Sequence, residues 1–276
     1  LFMLHFKLQM KKNYISKLSQ VINSLKIKKN DNIYVSGNFI NLGIFPIKDY
    51  QILPKILFNL LKKKIGPKGT IIVPSHSFYL VNKKDTFDLK KTQSESGAFS
   101  NFILKQKKTI RQIHPFSSSA AIGFNAKYIC SNNSKHVYGP SSPFERMIEL
   151  KTKFISFGIP INENCSQVHH AEFNMGVPYR YIKEFEKKIK IGKKIYKDKF
   201  YLFVLHKEFI KKKRNKNKII VKNFKSKSKI IKKKFGNNFI YQYSMNNFYY
   251  QTINLMKKNI FCWMGSRPIR KSTFEN

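Results

Sequence analysis

Acidic residues are scarce in this sequence. There are 14 Asp and Glu against 54 Lys and Arg in 276 residues, a formal net charge of +40. A carboxylate-lined cleft of the kind that holds a polycation is hard to assemble from so few acids. Arginine is scarce too. Six basic residues are Arg, namely Arg111, Arg146, Arg180, Arg214, Arg267 and Arg270. Specific nucleic-acid readers rely on the bidentate guanidinium, and no motif of a known DNA- or RNA-binding fold is present. The lysines are scattered among Asn, Ile, Tyr and Phe, the mixture that an AT-rich coding sequence produces by drift. A nucleic-acid partner is therefore not expected. A basic nucleic-acid-binding protein is the alternative that composition alone would offer, with salt-sensitive binding as its mark.

The three cysteines, Cys130, Cys165 and Cys262, include no CxxC pair. That excludes a disulfide framework and a structural zinc site, and it fits a reducing compartment. There is no HExxH pattern, so no metal is expected. No uninterrupted apolar stretch is long enough to span a bilayer. The opening LFMLHFKLQMKKNYISK has neither a basic region before its apolar part nor a small-residue cleavage site. The chain therefore reads as a cytoplasmic protein without a transmembrane segment. Met10 begins a stretch that looks like a natural start, and residues 1–13 are expected to be a flexible extension ahead of a domain over 14–276.

What is present suffices for a core. Hydrophobic residues make up 42% of the chain and aromatics 14%, outside the range of disordered compositions. Leu18, Val21, Ile22 and Leu25 fall at helical spacing. Ile33 and Val35 alternate with Tyr34 in a short strand ending at Ser36-Gly37. A helix is predicted over 50–64, a turn at Gly66–Gly69 and a buried strand at TIIVP (70–74). Residues 97–106 suggest a short helix, SSSAAIG (117–123) a small-residue run, and KFISFGI (153–159) a further strand. SSPFERMIEL (141–150) opens as a capped helix with Pro in its first turn. This order points to an α/β fold. From 205 to 235, Lys blocks alternate with Ile pairs. That reads as a solvated hairpin or helix with Lys on the wet side, and less readily as a basic arm for an anionic polymer.

Two segments carry the chemistry. In NENCSQVHHAEFNMGVPYRY (162–181), Ser166 can cap a helix that puts His169 and Glu172 three residues apart on one face. A carboxylate beside an imidazole fixes its tautomer and steadies the imidazolium. Spacing alone also admits the commoner case, a polar helix residue beside a surface charge. His170 falls on another face and reads as structural. Cys165 as a thiol nucleophile lacks the rest of such a site. In RQIHPFSSSAAIG (111–123), small hydroxyl residues suit a phosphate or a pantetheine chain passing close by, and equally a tightly packed strand.

Taken in order, GTIIVP (69–74), SESGAFS (94–100), HPFSSSAAIG (114–123), GPSSPFERMIEL (139–150) and FGIPINENCSQVHHAE (157–172) resemble the aminoglycoside 3-N-acetyltransferase family. YVSGNFINLG (34–43) resembles a weakened form of its His-Ser-Ser segment. The likeness runs over about residues 14–205. It implies a single α/β domain with a mixed central sheet flanked by helices, distinct from the GNAT acetyltransferases. It implies acetyl-CoA as co-substrate and acetylation of an amine on an amino sugar, either an aminoglycoside or a surface-glycan precursor. His169 is then the general base and Glu172 its partner. Ser36, Gly37, Asn38, Ser118, Ser119 and Ala120 are implied to contact CoA, and Arg111 to meet one of its phosphates. Ser36-Gly37-Asn38 departs from the family's hydroxyl-rich triplet. GVPYRY (176–181) resembles members associated with surface-polysaccharide gene clusters. A degenerate member that binds CoA or sugar without turnover is a third reading.

Overall fold

No glycine or proline interrupts residues 2–24, and the chain coils there into one helix, α1 (Phe2–Ser24). The structure is a computed structural model that describes residues 2–42, 52–210 and 217–264. The helix runs on across residue 13, where the sequence reading placed its boundary. The reason is local: without a breaker, propagation costs less than stopping. Leu1 lies outside the described residues.

The elements then follow in chain order. β1 (Asn32–Gly37), α2 (Ile52–Ile65), β2 (Thr70–His76), β3 (Phe87–Asp88) and α3 (Ala98–Leu104) lead to β4 (Ile110–Arg111), β5 (Ser117–Gly123) and α4 (Ala126–Cys130). Next come α5 (Pro143–Glu149), β6 (Lys153–Phe157), α6 (Gln167–Asn174), β7 (Arg180–Ile191), β8 (Lys194–Leu205) and α7 (Lys207–Ile210). The described chain closes with α8 (Lys218–Lys227), β9 (Ile231–Phe235), β10 (Asn238–Ser244) and α9 (Met245–Lys258).

Seven strands form one sheet in the order β4-β5-β2-β1-β6-β10-β9. β1 runs parallel to β2 and to β6, and the remaining pairs are antiparallel, so the sheet is mixed. Successive side chains of a strand point to opposite faces, and in β1, β2 and β5 both faces are buried. Ile33 and Val35 of β1 pack with Leu57 and Leu61 of α2 on one face, and Tyr34 packs with Phe144 and Phe154 on the other. α1, α2 and α3 cover the first face; α4, α5, α6 and α9 cover the second.

The sequence reading did not pick out the long hairpin β7–β8, which pairs with β3 in a separate three-stranded sheet. Its signal is legible in retrospect. Apolar residues alternate with Lys on both sides of Gly192-Lys193, and Gly192 takes φ +60° in the two-residue turn. Within its described part the Lys-rich stretch includes the helix with Lys on its wet side that the sequence suggested. It forms α8 and then the edge strand β9, while residues 211–216 lie outside the described residues. Burying Ile220, Val221 and Phe224 of α8 contributes roughly 1.5–3 kcal/mol each. Repulsion between lysines one turn apart costs only a few tenths of a kcal/mol per pair, so the helix holds. Among the described residues, no helix is long and apolar enough to cross a membrane.

Candidate active site

The parallel strands β1 and β6 end side by side, and their loops nearly touch. A side chain on Gly37 would meet Phe157 O at 2.1 Å, and one on Gly158 would meet Asn38 O at 2.5 Å. Both glycines also have positive φ. They are therefore required by close backbone approach. After Gly158 the chain makes a 3-10 turn, Ile161–Glu163, and enters α6. Ser166 stands at the N-cap, but in helical conformation and without a side-chain cap bond. The expected cap is thus absent, and its hydroxyl instead lines the cavity described below.

α6 brings the predicted pair together. His169 Nδ1 lies 2.5 Å from Glu172 Oε2, with the imidazole 28% exposed and the carboxylate fully buried. Two further partners follow α6 directly in sequence. Tyr179 donates its hydroxyl to Glu172 Oε1 at 2.9 Å, and Arg180 Nε forms an ion pair with Oε2 at 2.9 Å. Burial opposes the charge on Glu172, but His169, Arg180 and Tyr179 outweigh it and hold the carboxyl below the usual range. Because Nδ1–H donates to Glu172, the tautomer leaves the Nε2 lone pair as the basic site. Tyr138 and Trp263 set their rings edge-on to the imidazole at 5.9 and 5.8 Å, and Arg180 lies 4.7 Å from the Trp263 ring. The sequence reading quoted Tyr179 and Arg180 within GVPYRY without giving them a role. Trp263 is more than ninety residues away and carried no local signal.

His170 is buried on the other side of the helix. Its Nδ1 accepts from Gly139 N–H at 3.2 Å, its Nε2 lies 3.1 Å from Asn174 Nδ2, and its ring stacks on Phe144. Burial lowers it to about 4. It is a neutral structural imidazole.

A cavity of about 540 Å³ opens at the ends of β1 and β2. Ser36, Gly37 and Asn38 line it together with His76, Glu95 and Ser166. Asn164 is clamped there: its Oδ1 accepts from Ser36 Oγ at 3.2 Å and its Nδ2 donates to Ser156 Oγ at 2.7 Å. Burial, with Arg111 adding to it, lowers His76 to about 4. Among its described lining residues there is no Lys or Arg, and Glu95 is the carboxylate. Among the described residues, no group of three His, Cys, Asp or Glu side chains is placed to hold a metal ion.

Residues 45–257 match the family model for aminoglycoside 3-N-acetyltransferase. The chain belongs to that family. It is 27% identical over 158 residues to aminoglycoside N(3)-acetyltransferase IV from Salmonella sp, an alignment covering 52% of this chain and 59% of that relative. The fold is that of solved acetyltransferases. AAC-IIIb in its binary complex with CoASH aligns with TM-score 0.75 at 18% identity, covering 92% of this chain and 98% of that one. AAC-VIa bound to sisomicin aligns with TM-score 0.74 at 18% identity, covering 88% and 97%.

Within this aminoglycoside 3-N-acetyltransferase family member, part of the implied CoA surface is closed. Arg111 is 6% exposed, and its guanidinium donates to Ser118 Oγ, Thr92 O and Ser75 O. Burial lowers it to about 10. Ser118 is fully buried, donates to Ser75 O at 2.8 Å and lies 2.7 Å from Ser75 Oγ. Ser119 and Ala120 are enclosed in β5 between β2 and β4. These four side chains hold the sheet together, and the packed-strand reading of 117–123 is the one their burial supports. Ser36, Gly37 and Asn38 alone among the implied CoA contacts reach the cavity.

Proposed function

We propose that the protein transfers the acetyl group of acetyl-CoA to the amine of an amino sugar, with His169 as general base. A fully buried carboxylate 2.5 Å from a partly exposed imidazole, in a chain of an acetyltransferase family, carries this reading. The amine attacks the thioester carbonyl only when unprotonated. His169 Nε2 takes the proton released as the tetrahedral centre forms, and Glu172 balances the imidazolium; collapse of that centre breaks the C–S bond, and the departing CoA thiolate takes up the proton and leaves as the thiol. Arg180 already offsets part of the Glu172 charge. The carboxylate therefore serves as much to orient the ring as to stabilise it.

The neutral hydroxyls and amides around the 540 Å³ cavity suit the amide-bearing pantetheine arm. Asn38 N–H is committed to Phe157 O at 2.9 Å and Ile40 N–H to Asn38 Oδ1 at 3.0 Å. The Ser36 hydroxyl is committed to Asn164 Oδ1 at 3.2 Å, which leaves the Ser166 hydroxyl as the natural donor to the developing oxyanion. Holding amine and thioester in place supplies much of the remaining acceleration.

The acceptor fits an amino sugar of surface-glycan synthesis, carried on a nucleotide or lipid pyrophosphate, better than a polycationic drug. Glu172 is enclosed, and Glu95 is the one carboxylate among the cavity's described lining residues. The test is thiol release from acetyl-CoA with a nucleotide-linked amino sugar and with gentamicin or kanamycin, at low and moderate salt. His169→Ala should lower transfer by on the order of a hundredfold or more while acetyl-CoA binding stays nearly intact. Near-normal turnover in that variant overturns the base assignment. A drug that is the better substrate at moderate ionic strength, where long-range repulsion is screened, overturns the acceptor assignment.

A further inference from the structure

A second cavity, of about 390 Å³, draws its lining in part from the same segment as the first. Ile159 and Asn164 line the first cavity, whereas Pro160, Ile161 and Asn162 line the second. Segment 159–164, with the Ile161–Glu163 turn at its centre, thus contributes residues to both cavities. Charge separates the two. The second cavity is lined by Lys225 of α8, Lys229 of the following link and Lys232 of β9, with no carboxylate among its described lining residues. Glu163 sits on the turn but does not line it. Among the described residues, none of the three lysines is ion-paired with a carboxylate. Lys232 is restrained by the Phe239 ring, 3.8 Å from its ammonium group. Three unpaired cations around one concavity repel each other, and a multivalent anion relieves that repulsion. Ile161, Val221 and Tyr241 add an apolar and aromatic surface beside them, a combination that suits phosphate groups attached to a ring.

We propose that this cavity binds the phosphates of a phosphorylated ligand whose remainder crosses the Ile161–Glu163 turn into the first cavity. The acetyltransferase reading matters here only for what that remainder does; anion binding does not depend on it. Two ligands share the chemistry. One is the pyrophosphate of a nucleotide-linked amino sugar, the other the phosphoadenosine diphosphate of CoA.

The test is calorimetric titration of the full chain with inorganic pyrophosphate, UDP and 3′,5′-ADP. Wild type is compared with a variant carrying Lys225→Gln, Lys229→Gln and Lys232→Gln. A control carries Lys105→Gln, Lys107→Gln and Lys108→Gln, three exposed lysines elsewhere, and loses the same net charge. The cavity variant should bind pyrophosphate and one of the two nucleotides about ten- to a hundredfold more weakly, as three solvent-facing charge pairs would give. The control should change by less than about threefold. Weakened UDP binding identifies the acceptor as the source, and weakened 3′,5′-ADP binding identifies CoA. Equal affinities in wild type and cavity variant, or equal losses in both variants, overturn the proposal. All six lysines are exposed, and unchanged thermal melting confirms folding; Lys229→Glu alone gives a second reading of the same sign. His169→Ala should bind all three anions as wild type does. An absence of acetyl transfer would therefore count against the catalytic reading and leave this result standing.

Discussion

At Glu172 three partners converge on a fully buried carboxylate. His169 and Arg180 share Oε2, and Tyr179 holds Oε1. The arrangement is stable because each desolvated charge has a partner, and removing one leaves another exposed to the cost of burial. Glu172→Gln should therefore do more than slow the reaction. It leaves the Arg180 guanidinium, 9% exposed, without its counter-ion, and should cost about 3 kcal/mol of stability in urea unfolding. Tyr179→Phe removes one hydrogen bond to a charged group and should cost roughly 1.5–3 kcal/mol. If Glu172→Gln unfolded within about 0.5 kcal/mol of wild type, a variation ordinary for surface sites, the network would not be the structural clamp inferred here. His170, one residue from the base, shows how little spacing in sequence says about role. Its ring meets Gly139, Asn174 and Phe144 rather than the carboxylate.

Two serines that look alike in sequence play opposite parts at the element scale. Ser142 and Ser166 each stand at the N-cap of a short helix. Ser142 is extended, fully buried, and accepts from Glu145 N–H at 3.3 Å, with Pro143 setting the first turn. Ser166 is helical, makes no cap bond and faces the cavity. Ser142→Ala should cost about 1 kcal/mol of stability, the usual value of a cap, with little change in KM. Ser166→Ala should leave stability nearly unchanged and lower the rate of transfer. Paired melting and steady-state measurements distinguish the two, and a larger stability loss at Ser166 than at Ser142 would reverse the assignment. The second short helix is held by packing instead. Val168 and Ala171 are fully buried, and α6 packs extensively against α9.

For the whole molecule, buried imidazoles set the response to acid. Burial holds His76 at about 4, His114 at about 3 and His170 at about 4, against about 6.5 for an unperturbed histidine. In the unfolded chain each takes up a proton as pH falls through about 6.5; in the folded chain each resists until much lower. The folded values are depressed, so this contribution is complete above about pH 6.5 and is lost as pH falls toward 4. Unfolding midpoints should be flat from about pH 8 to 7 and decline below about 6.5, with proton uptake on unfolding approaching three groups. The ordinary range of carboxylates lies below most of this window. A midpoint that stays constant from about pH 7 to pH 5 would show that these rings are not held neutral. The net charge of +40 adds self-repulsion in both states and is answered by salt rather than by pH in this range.

The sequence by itself determined the strands and helices whose periodicity is local. β1, α2, β2, α3, α5 and β6 fall where alternation, helical spacing and the Gly-Pro turns put them. It also put His169 and Glu172 within side-chain reach, because three residues along a helix is a fixed distance that no tertiary contact needs to supply. The order of the motif blocks carried the family as well. Tertiary structure decided what sequence leaves open, namely which side chains keep access to a ligand. Arg111, Ser118, Ser119 and Ala120 stand in a promising motif, yet all four are buried in the fold, and the Arg111 and Ser118 side chains bond inward. Trp263 reaches the imidazole, and Lys225, Lys229 and Lys232 surround one concavity, only because α8, β9, β10 and α9 fold back across the sheet. Burial and convergence are sums over the whole fold, and no window of residues contains them.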